Sequence, residues 1–261
     1  MAELNCDFAI RSGGHAPGAG TANIDSGVTL DLSDLDNISL SHDKSVISAG
    51  PGALWADVYA VLEPQNLIVA GGRVSTVGVG GLSIGGGISF FSPRYGFTCD
   101  TIVNFEVVLA NGAIVNTNTQ HNSDLLHALR GGSNNFGVVT RVDLKTYEQG
   151  PFWGGNVLYG LDTAPQQLKA ISELASASQF DEYASLISAF ALTASGGAVS
   201  NTLQYTKNVE NPVTLKPFVD IPHFSSSLRI ANASSFASEG NDGSPPGHRY
   251  VYNYTTLGYP D

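Results

Sequence analysis

Positive charge is scarce in this 261-residue sequence: 12 Lys and Arg stand against 23 Asp and Glu, giving a net charge of −11 and a pI near 4.8. No basic run is present, so the electrostatic footprint of a nucleic-acid binder is missing, and an anionic membrane surface would repel the chain. Long apolar runs are lacking too, and none reaches the roughly 18 residues that span a bilayer. The N-terminal MAELNCDFAIRSGG has no basic start followed by an apolar core, so it does not read as a secretory signal peptide. Cysteine is limited to Cys6 and Cys99, in no metal-ligand spacing. These two could pair, ligate or be buried, and burial is the commonest fate of isolated thiols. The six histidines form no HxxxH or HxH pair, which argues against a zinc site. Charged residues are only 13% while apolar residues are 42% with twelve Phe, a balance that argues for a folded globule over disorder. The length suits one large or two ordinary domains.

What the sequence does have is glycine, concentrated between Gly71 and Gly87, where eight of seventeen residues are Gly. Each glycine loses extra backbone entropy on folding, so the missing side chains need a reason. One reason is a flexible linker, but linkers are polar, whereas Val74, Val77, Val79, Leu82 and Ile84 are apolar. The other is a wall where backbone N–H groups must approach a flat or anionic ligand.

In chain order, Asp7–Ser12 and Val28–Leu32 read as strands around a turn-rich segment, and Ser45–Ala49 as another strand. Leu54, Val58, Val61 and Leu62 recur at helical spacing over Ala53–Leu62, which Glu63-Pro64 ends. Leu67–Ala70 is a brief strand. Asn111-Gly112 predicts a hairpin between Ile102–Leu109 and Ala113–Asn116. Asn122 is positioned to cap a helix over Asn122–Leu129, and Gly137–Tyr147 reads as a strand. After Gly150-Pro151 the texture changes. Trp153–Gly160, Ser185–Leu192 and Val199–Tyr205 read as strands, Pro165–Ser178 as a helix and Ser234–Gly247 as a Ser/Gly/Pro-rich loop. This predicts an α+β fold with a domain boundary near Gly150. A Rossmann fold does not fit, because GVGG at Gly78–Gly81 lacks the required register and helices are sparse. The N-x-[ST] triplets at Asn37, Asn232 and Asn253 occur at about chance frequency and support a secretory route only weakly.

Five segments, in order, carry a resemblance: Arg11-Ser12-Gly13-Gly14-His15, Gly71–Gly87, Tyr95-Gly96 with Asp100, Phe105–Gly112 and Leu129–Val139. Together they resemble the flavin domain of berberine-bridge-enzyme-like FAD-linked oxidases, in the vanillyl-alcohol-oxidase superfamily with a PCMH-type FAD-binding domain. The match is dense over residues 8–147 and thinner beyond 151. The resemblance implies a FAD-binding domain over residues 1–149, lacking its N-terminal part, and part of an α+β substrate-binding domain over residues 150–261. It implies FAD bonded covalently to His15. Read from its own surroundings, a lone histidine on a glycine-rich loop could also be an exposed turn residue. Arg11, Ser12, Gly13, Gly14, His15 and Ala16 would wrap the pyrophosphate. Gly72, Thr76, Val77, Gly78, Gly81, Ser83, Gly85, Gly86 and Gly87 would line the isoalloxazine and pyrophosphate, and Gly132, Asn135, Gly137 and Val139 would approach from a later strand.

Many relatives attach flavin a second time through a cysteine just before TVGVGG. Here Val74 occupies that position, so single attachment is expected. The resemblance also implies a chain truncated at both ends, without the C-terminal segment that supplies a tyrosine base. Asn253-Tyr254 superficially resembles that motif but is not assigned its role, and no catalytic residue is assigned. Arg94 and Tyr95 could face a substrate cavity or be a surface pair. Two functions remain open. One is an oxidoreductase of secondary metabolism, oxidising a carbohydrate-like or secondary-metabolite alcohol by hydride transfer, with O2 as acceptor and no nucleic-acid or membrane partner. The other is a truncated non-catalytic relative that has lost turnover, with or without flavin. The family is often secreted; the compartment of this chain is left open.

Overall fold

The computed structural model describes residues 6–16, 18, 22–176, 178–193 and 196–243. Two short parallel strands come first, β1 (Phe8–Arg11) and β2 (Val28–Asp31). The chain continues through β3 (Ile38–Leu40), β4 (Val46–Ala49), α1 (Trp55–Leu62), β5 (Leu67–Ile68), α2 (Val79–Ile84) and α3 (Ser92–Tyr95). Next are β6 (Ile102–Val108), β7 (Ile114–Thr117), α4 (Ser123–Leu129), β8 (Val138–Lys145) and β9 (Tyr147–Glu148). The remainder comprises β10 (Phe152–Gly160), α5 (Ala164–Ala175), β11 (Ala184–Thr193), β12 (Gly196–Tyr205), α6 (Lys216–Val219), β13 (Ser225–Ser226), β14 (Arg229–Ala231) and α7 (Ala233–Glu239). The fold is α+β, as the sequence predicts. Among the described residues, no helix is long and apolar enough to cross a membrane.

One antiparallel sheet has the order β3-β4-β8-β6-β7, and a second has β11-β12-β10-β13, with β14 also on β10. The β6–β7 hairpin forms where Asn111-Gly112 predicts it. Gly112 takes a positive φ of 82°, and the Asn111 side chain accepts the Ala113 N–H at 3.0 Å. Helix α1 is preceded by Leu54, whose N–H donates to the Asp57 carboxylate at 3.0 Å. Its buried face is Trp55, Val58, Tyr59 and Leu62, at i, i+3, i+4 and i+7. Leu54, read in the sequence as part of that face, instead bridges to Gly78.

Two apolar cores meet at adjacent residues of β10. Phe152 packs into the first with Ile47, Trp55, Phe91, Phe105 and Leu144, and Trp153 into the second with Val157, Tyr159, Leu203 and Phe218. Side chains alternate across a strand, so one residue step changes core.

Three expectations are corrected. The Ser234–Gly247 segment is not simply a loop: α7 runs to Glu239 and a 3-10 turn covers Gly240–Gly243, while residues 244–247 lie outside the described residues. Its serines hide an apolar pair, Phe236 and Ala237, that returns to the first core. The Phe236 ring lies 4.9 Å from Phe152 and 6.4 Å from Phe90. Asn122 is no side-chain cap; with φ 51° it turns its amide back to the Asn116 carbonyl at 2.9 Å. The Gly137–Tyr147 strand is broken at Thr146, whose N–H bonds Ser45 O at 3.0 Å before β9 pairs with β5.

Candidate functional site

The glycine stretch forms one wall of a cleft of about 890 Å³, within the range of small-molecule sites. The floor is the loop leaving β1, from Arg11 to Ala16. Ser12 Oγ donates to Pro51 O at 2.5 Å and fixes this loop against the turn before α1. The wall is α2 and its flanks, through Val77, Gly78, Gly80, Gly81, Leu82, Ile84, Gly85 and Gly87. Ser133 and Asn134, with Gly137 and Val139 at the start of β8, close the opposite side.

The glycines of the wall divide by what a side chain would strike. At Gly13 an added Cβ would lie 2.4 Å from Gly78 N, and at Gly78 it would lie 2.4 Å from Gly13 N. Loop and wall are thus locked backbone to backbone. Gly71 and Gly72 are required by the Trp55 ring, at 2.4 and 2.5 Å, and the Tyr59 hydroxyl donates to Gly72 O at 2.6 Å. Burial raises the Tyr59 phenol far above its ordinary value, so it stays a donor. Gly81 differs: among the described residues, an added Cβ would meet no atom outside its own helix within 4 Å. The fold does not demand glycine there, and the open cleft is what that face borders. This favours the ligand-wall reading over the linker reading for Gly81, and a packing reading for Gly71 and Gly72.

Of the residues expected around a flavin, Arg11, Ser12, Gly13, Gly14, His15, Ala16, Val77, Gly78, Gly81, Gly85, Gly87, Gly137 and Val139 line the cleft. The others do not. Gly72 lies behind the wall on Trp55, and Ser83 points into the interior, fully buried, its hydroxyl without a hydrogen bond. Gly86, with φ 105°, turns the chain between two lining stretches. Gly132 packs on the Ala128 carbonyl and accepts the Asn135 amide at 2.8 Å, so both shape the turn that presents Ser133 and Asn134. Thr76 is at the edge, 3.0 Å from His15 Nε2. Lining residues not foreseen include Ile10, Asn23, Leu32 and Pro51, brought in by β1, β2 and the turn before α1. Nothing in their local sequence marks them.

Arg11 is the only Lys, Arg, Asp or Glu among the described lining residues, and its guanidinium pairs with Asp31 at 2.7 Å. The Ser33 backbone N–H and hydroxyl, then Arg11, hold the Asp31 carboxyl below its ordinary range. Arg94 and Tyr95 belong elsewhere. Arg94 lines a separate groove, donating to Gln149 at 3.1 Å with its guanidinium over the Tyr95 and Tyr183 rings at 4.7 and 4.9 Å. Cys99 is buried and lines no part of the cleft. Asn253-Tyr254 lie outside the described residues.

Residues 1–118 match the family of FAD binding domains, a span that covers the β1 loop and the glycine wall. The chain is similar to FAD-dependent oxidoreductases. It is 44% identical over 249 residues to the FAD-dependent monooxygenase CTB5 of Cercospora nicotianae, covering 91% of this chain and 54% of that protein. Among solved structures, 6-hydroxy-D-nicotine oxidase from Arthrobacter nicotinovorans superposes with a TM-score of 0.81 at 22% identity, over 95% of this chain and 55% of that one. A glucooligosaccharide oxidase from Acremonium strictum, described with a 6-S-cysteinyl, 8α-N1-histidyl FAD, gives 0.76 at 22% identity, over 96% and 53%. These two likenesses establish the fold. The chain spans about half the length of the curated relatives it matches.

Proposed function

We propose that this chain supplies the flavin-holding part of an oxidoreductase that oxidises an alcohol-type small molecule, carbohydrate-like or a secondary metabolite. The FAD would be bonded once, to His15. When bound, FAD supplies the hydride acceptor and passes its electrons to dioxygen. The single observation that carries this reading is an exposed imidazole on a cleft walled by glycine backbone, with room kept at Gly81 that the fold itself does not need. Arg11–Ala16 would hold the pyrophosphate through backbone N–H groups. Val77, Gly78, Gly81, Gly85 and Gly87 would lie along the ring system, with Gly137 and Val139 opposite. Single attachment is supported by Val74, which brings no thiol, and by the burial of Cys99 away from the cleft. The division into a FAD-binding domain over residues 1–149 and part of a substrate-binding domain over 150–261 is supported by the second core, whose buried residues all lie between Trp153 and Ile221, while Phe152 and α7 pack into the first.

Two observations favour narrower variants. CTB5 is named a monooxygenase, so incorporation of one oxygen atom into product is the alternative outcome of the same cofactor. Labelled dioxygen separates the two: label in product marks oxygenation, and label in hydrogen peroxide marks oxidation. The lining residues also include no Asp, Glu, Tyr, Lys or Cys among those described, so this part of the site offers no evident base other than His15. That favours a flavin-holding chain without turnover of its own.

The test is absorbance at the flavin bands before and after acid precipitation. Yellow colour retained in the pellet, and lost from it in His15→Ala, is expected. Acid-stable colour in His15→Ala would show that the attachment is elsewhere.

A further inference from the structure

Two consecutive side chains, Ser75 and Thr76, and a third 165 residues beyond Thr76, Asn241, converge behind His15. Thr76 Oγ1 lies 3.0 Å from His15 Nε2 and donates to Asn241 Oδ1 at 3.1 Å. Asn241 Nδ2 in turn donates to Ser75 Oγ at 2.6 Å. Asn241 is held in place by the end of α7: Ala237 O accepts the Ser75 N–H at 3.0 Å, and Gly240 packs on the Arg73 carbonyl, where a Cβ would come within 2.7 Å.

The direction of this chain follows from the chemistry of each group. The Asn241 amide spends its N–H on Ser75 and presents its oxygen to Thr76. Thr76 has one hydroxyl proton, and that proton goes to Asn241. Toward His15, Thr76 therefore has only a lone pair to offer, so Nε2 must carry the hydrogen. A neutral imidazole with hydrogen on Nε2 leaves its lone pair on Nδ1. Nδ1 has no hydrogen-bond partner among the described residues, and His15 lines the cleft.

We propose that Thr76, set by Asn241, is a positioning residue that fixes the tautomer of His15 and so selects Nδ1 as the nitrogen that bonds the flavin. The proposal rests on the reading of His15 as the attachment residue. In the net reaction one flavin methyl C–H and the imidazole Nε2–H are lost and one C–N bond is formed. The two electrons and two protons released pass to dioxygen, giving hydrogen peroxide. A mixed tautomer population would present the wrong nitrogen part of the time. The device also ties flavin attachment to correct packing of α7, an element far away in sequence.

The first readout needs no flavin. Two-bond 1H–15N correlation spectra of the full chain, with His15 identified by its loss in His15→Ala, report which ring nitrogen carries hydrogen. We expect a pyrrole-type Nε2 and a pyridine-type Nδ1 in the unaltered chain. Thr76→Ser should retain that pattern and Thr76→Val should average it. Asn241→Leu frees the Thr76 hydroxyl to donate to His15 and should also average the pattern, whereas Asn241→Asp keeps an acceptor and should preserve it. Hydrogen on Nδ1, an averaged pattern in the unaltered chain, or a pattern unmoved by both Thr76→Val and Asn241→Leu overturns the proposal. The second readout is the rate at which added FAD becomes acid-stable. It should fall about fivefold in Thr76→Val, the factor one net hydrogen bond supplies, and recover in Thr76→Ser. Acid-stable flavin persisting in His15→Ala would defeat the attachment reading itself. Attachment through His15 at equal rates in Thr76→Val and the unaltered chain would defeat the positioning role alone.

Discussion

Gly81 separates what the fold requires from what the cleft requires. It is exposed within α2, and among the described residues a methyl there would touch no atom outside its own helix within 4 Å. Replacing a helical glycine by alanine removes backbone freedom from the unfolded chain and gains about 0.5–1 kcal/mol. For a chain of this size that is a rise in Tm of about 1–4 °C. The same methyl would stand on the cleft side of the wall. Forcing a methyl against a fitted ring costs roughly 1–3 kcal/mol, a loss of about 5- to 150-fold in flavin affinity. Gly78→Ala is the matched control, because its Cβ would fall 2.4 Å from Gly13 N and Ser12 Oγ and must part the β1 loop from the wall. It should lower Tm without flavin present. Thermal unfolding of the flavin-free chain, with titration of FAD by fluorescence quenching, gives both numbers. Gly81→Ala that unfolds earlier than the parent, or that binds FAD unchanged, would refute the reasoning.

Other predictions follow from packing and charge. Tyr59→Phe removes the donor to Gly72 O, leaves a buried carbonyl unpaired, and should cost about 1–3 kcal/mol in denaturant unfolding. Phe236→Ala leaves a cavity against Phe90 and Phe152 and should cost about 3–5 kcal/mol by the same measurement. Burial opposes ionisation of Glu239, but the Ser227 hydroxyl and the Arg229 guanidinium at 2.6 Å outweigh it, holding the carboxyl below its ordinary 4.5. A depressed folded value means the stabilisation is complete above the unfolded value and is lost as pH falls through the folded one. Glu239→Gln should therefore lower Tm at neutral pH and flatten its fall on acidification, and an unchanged acid limb would show that Glu239 contributes nothing.

Much of the fold is legible in the sequence because local signals decide it. Asn111-Gly112 can adopt a positive-φ turn cheaply, so the hairpin announces itself. The α1 helix is legible from its period, although its inward face is rotated toward Trp55 and Tyr59, whose partners Gly71 and Gly72 lie across a loop. The α7 helix is not legible: three serines around one apolar pair, followed by Gly240, read as loop, and only the distant rings of Phe90 and Phe152 make Phe236 worth burying. At the site, the RSGGH and glycine segments stand out because their composition is costly without a use. Gly72 and Ser83 share that composition but serve the wall from behind, and Gly132 and Asn135 shape the turn opposite it, distinctions that only three-dimensional packing makes. Asn241 has no local signal, since its importance depends on α7 reaching Thr76.

The most direct measurement of the central claim is peptide mass after flavin loading and tryptic digestion. His15 lies in the tryptic peptide spanning residues 12–44, between Arg11 and Lys44. The account predicts the flavin mass on that peptide, on the His15 fragment ion, and on no other peptide. Flavin mass on a different residue, or a chain that binds FAD yet never carries the adduct, would contradict it.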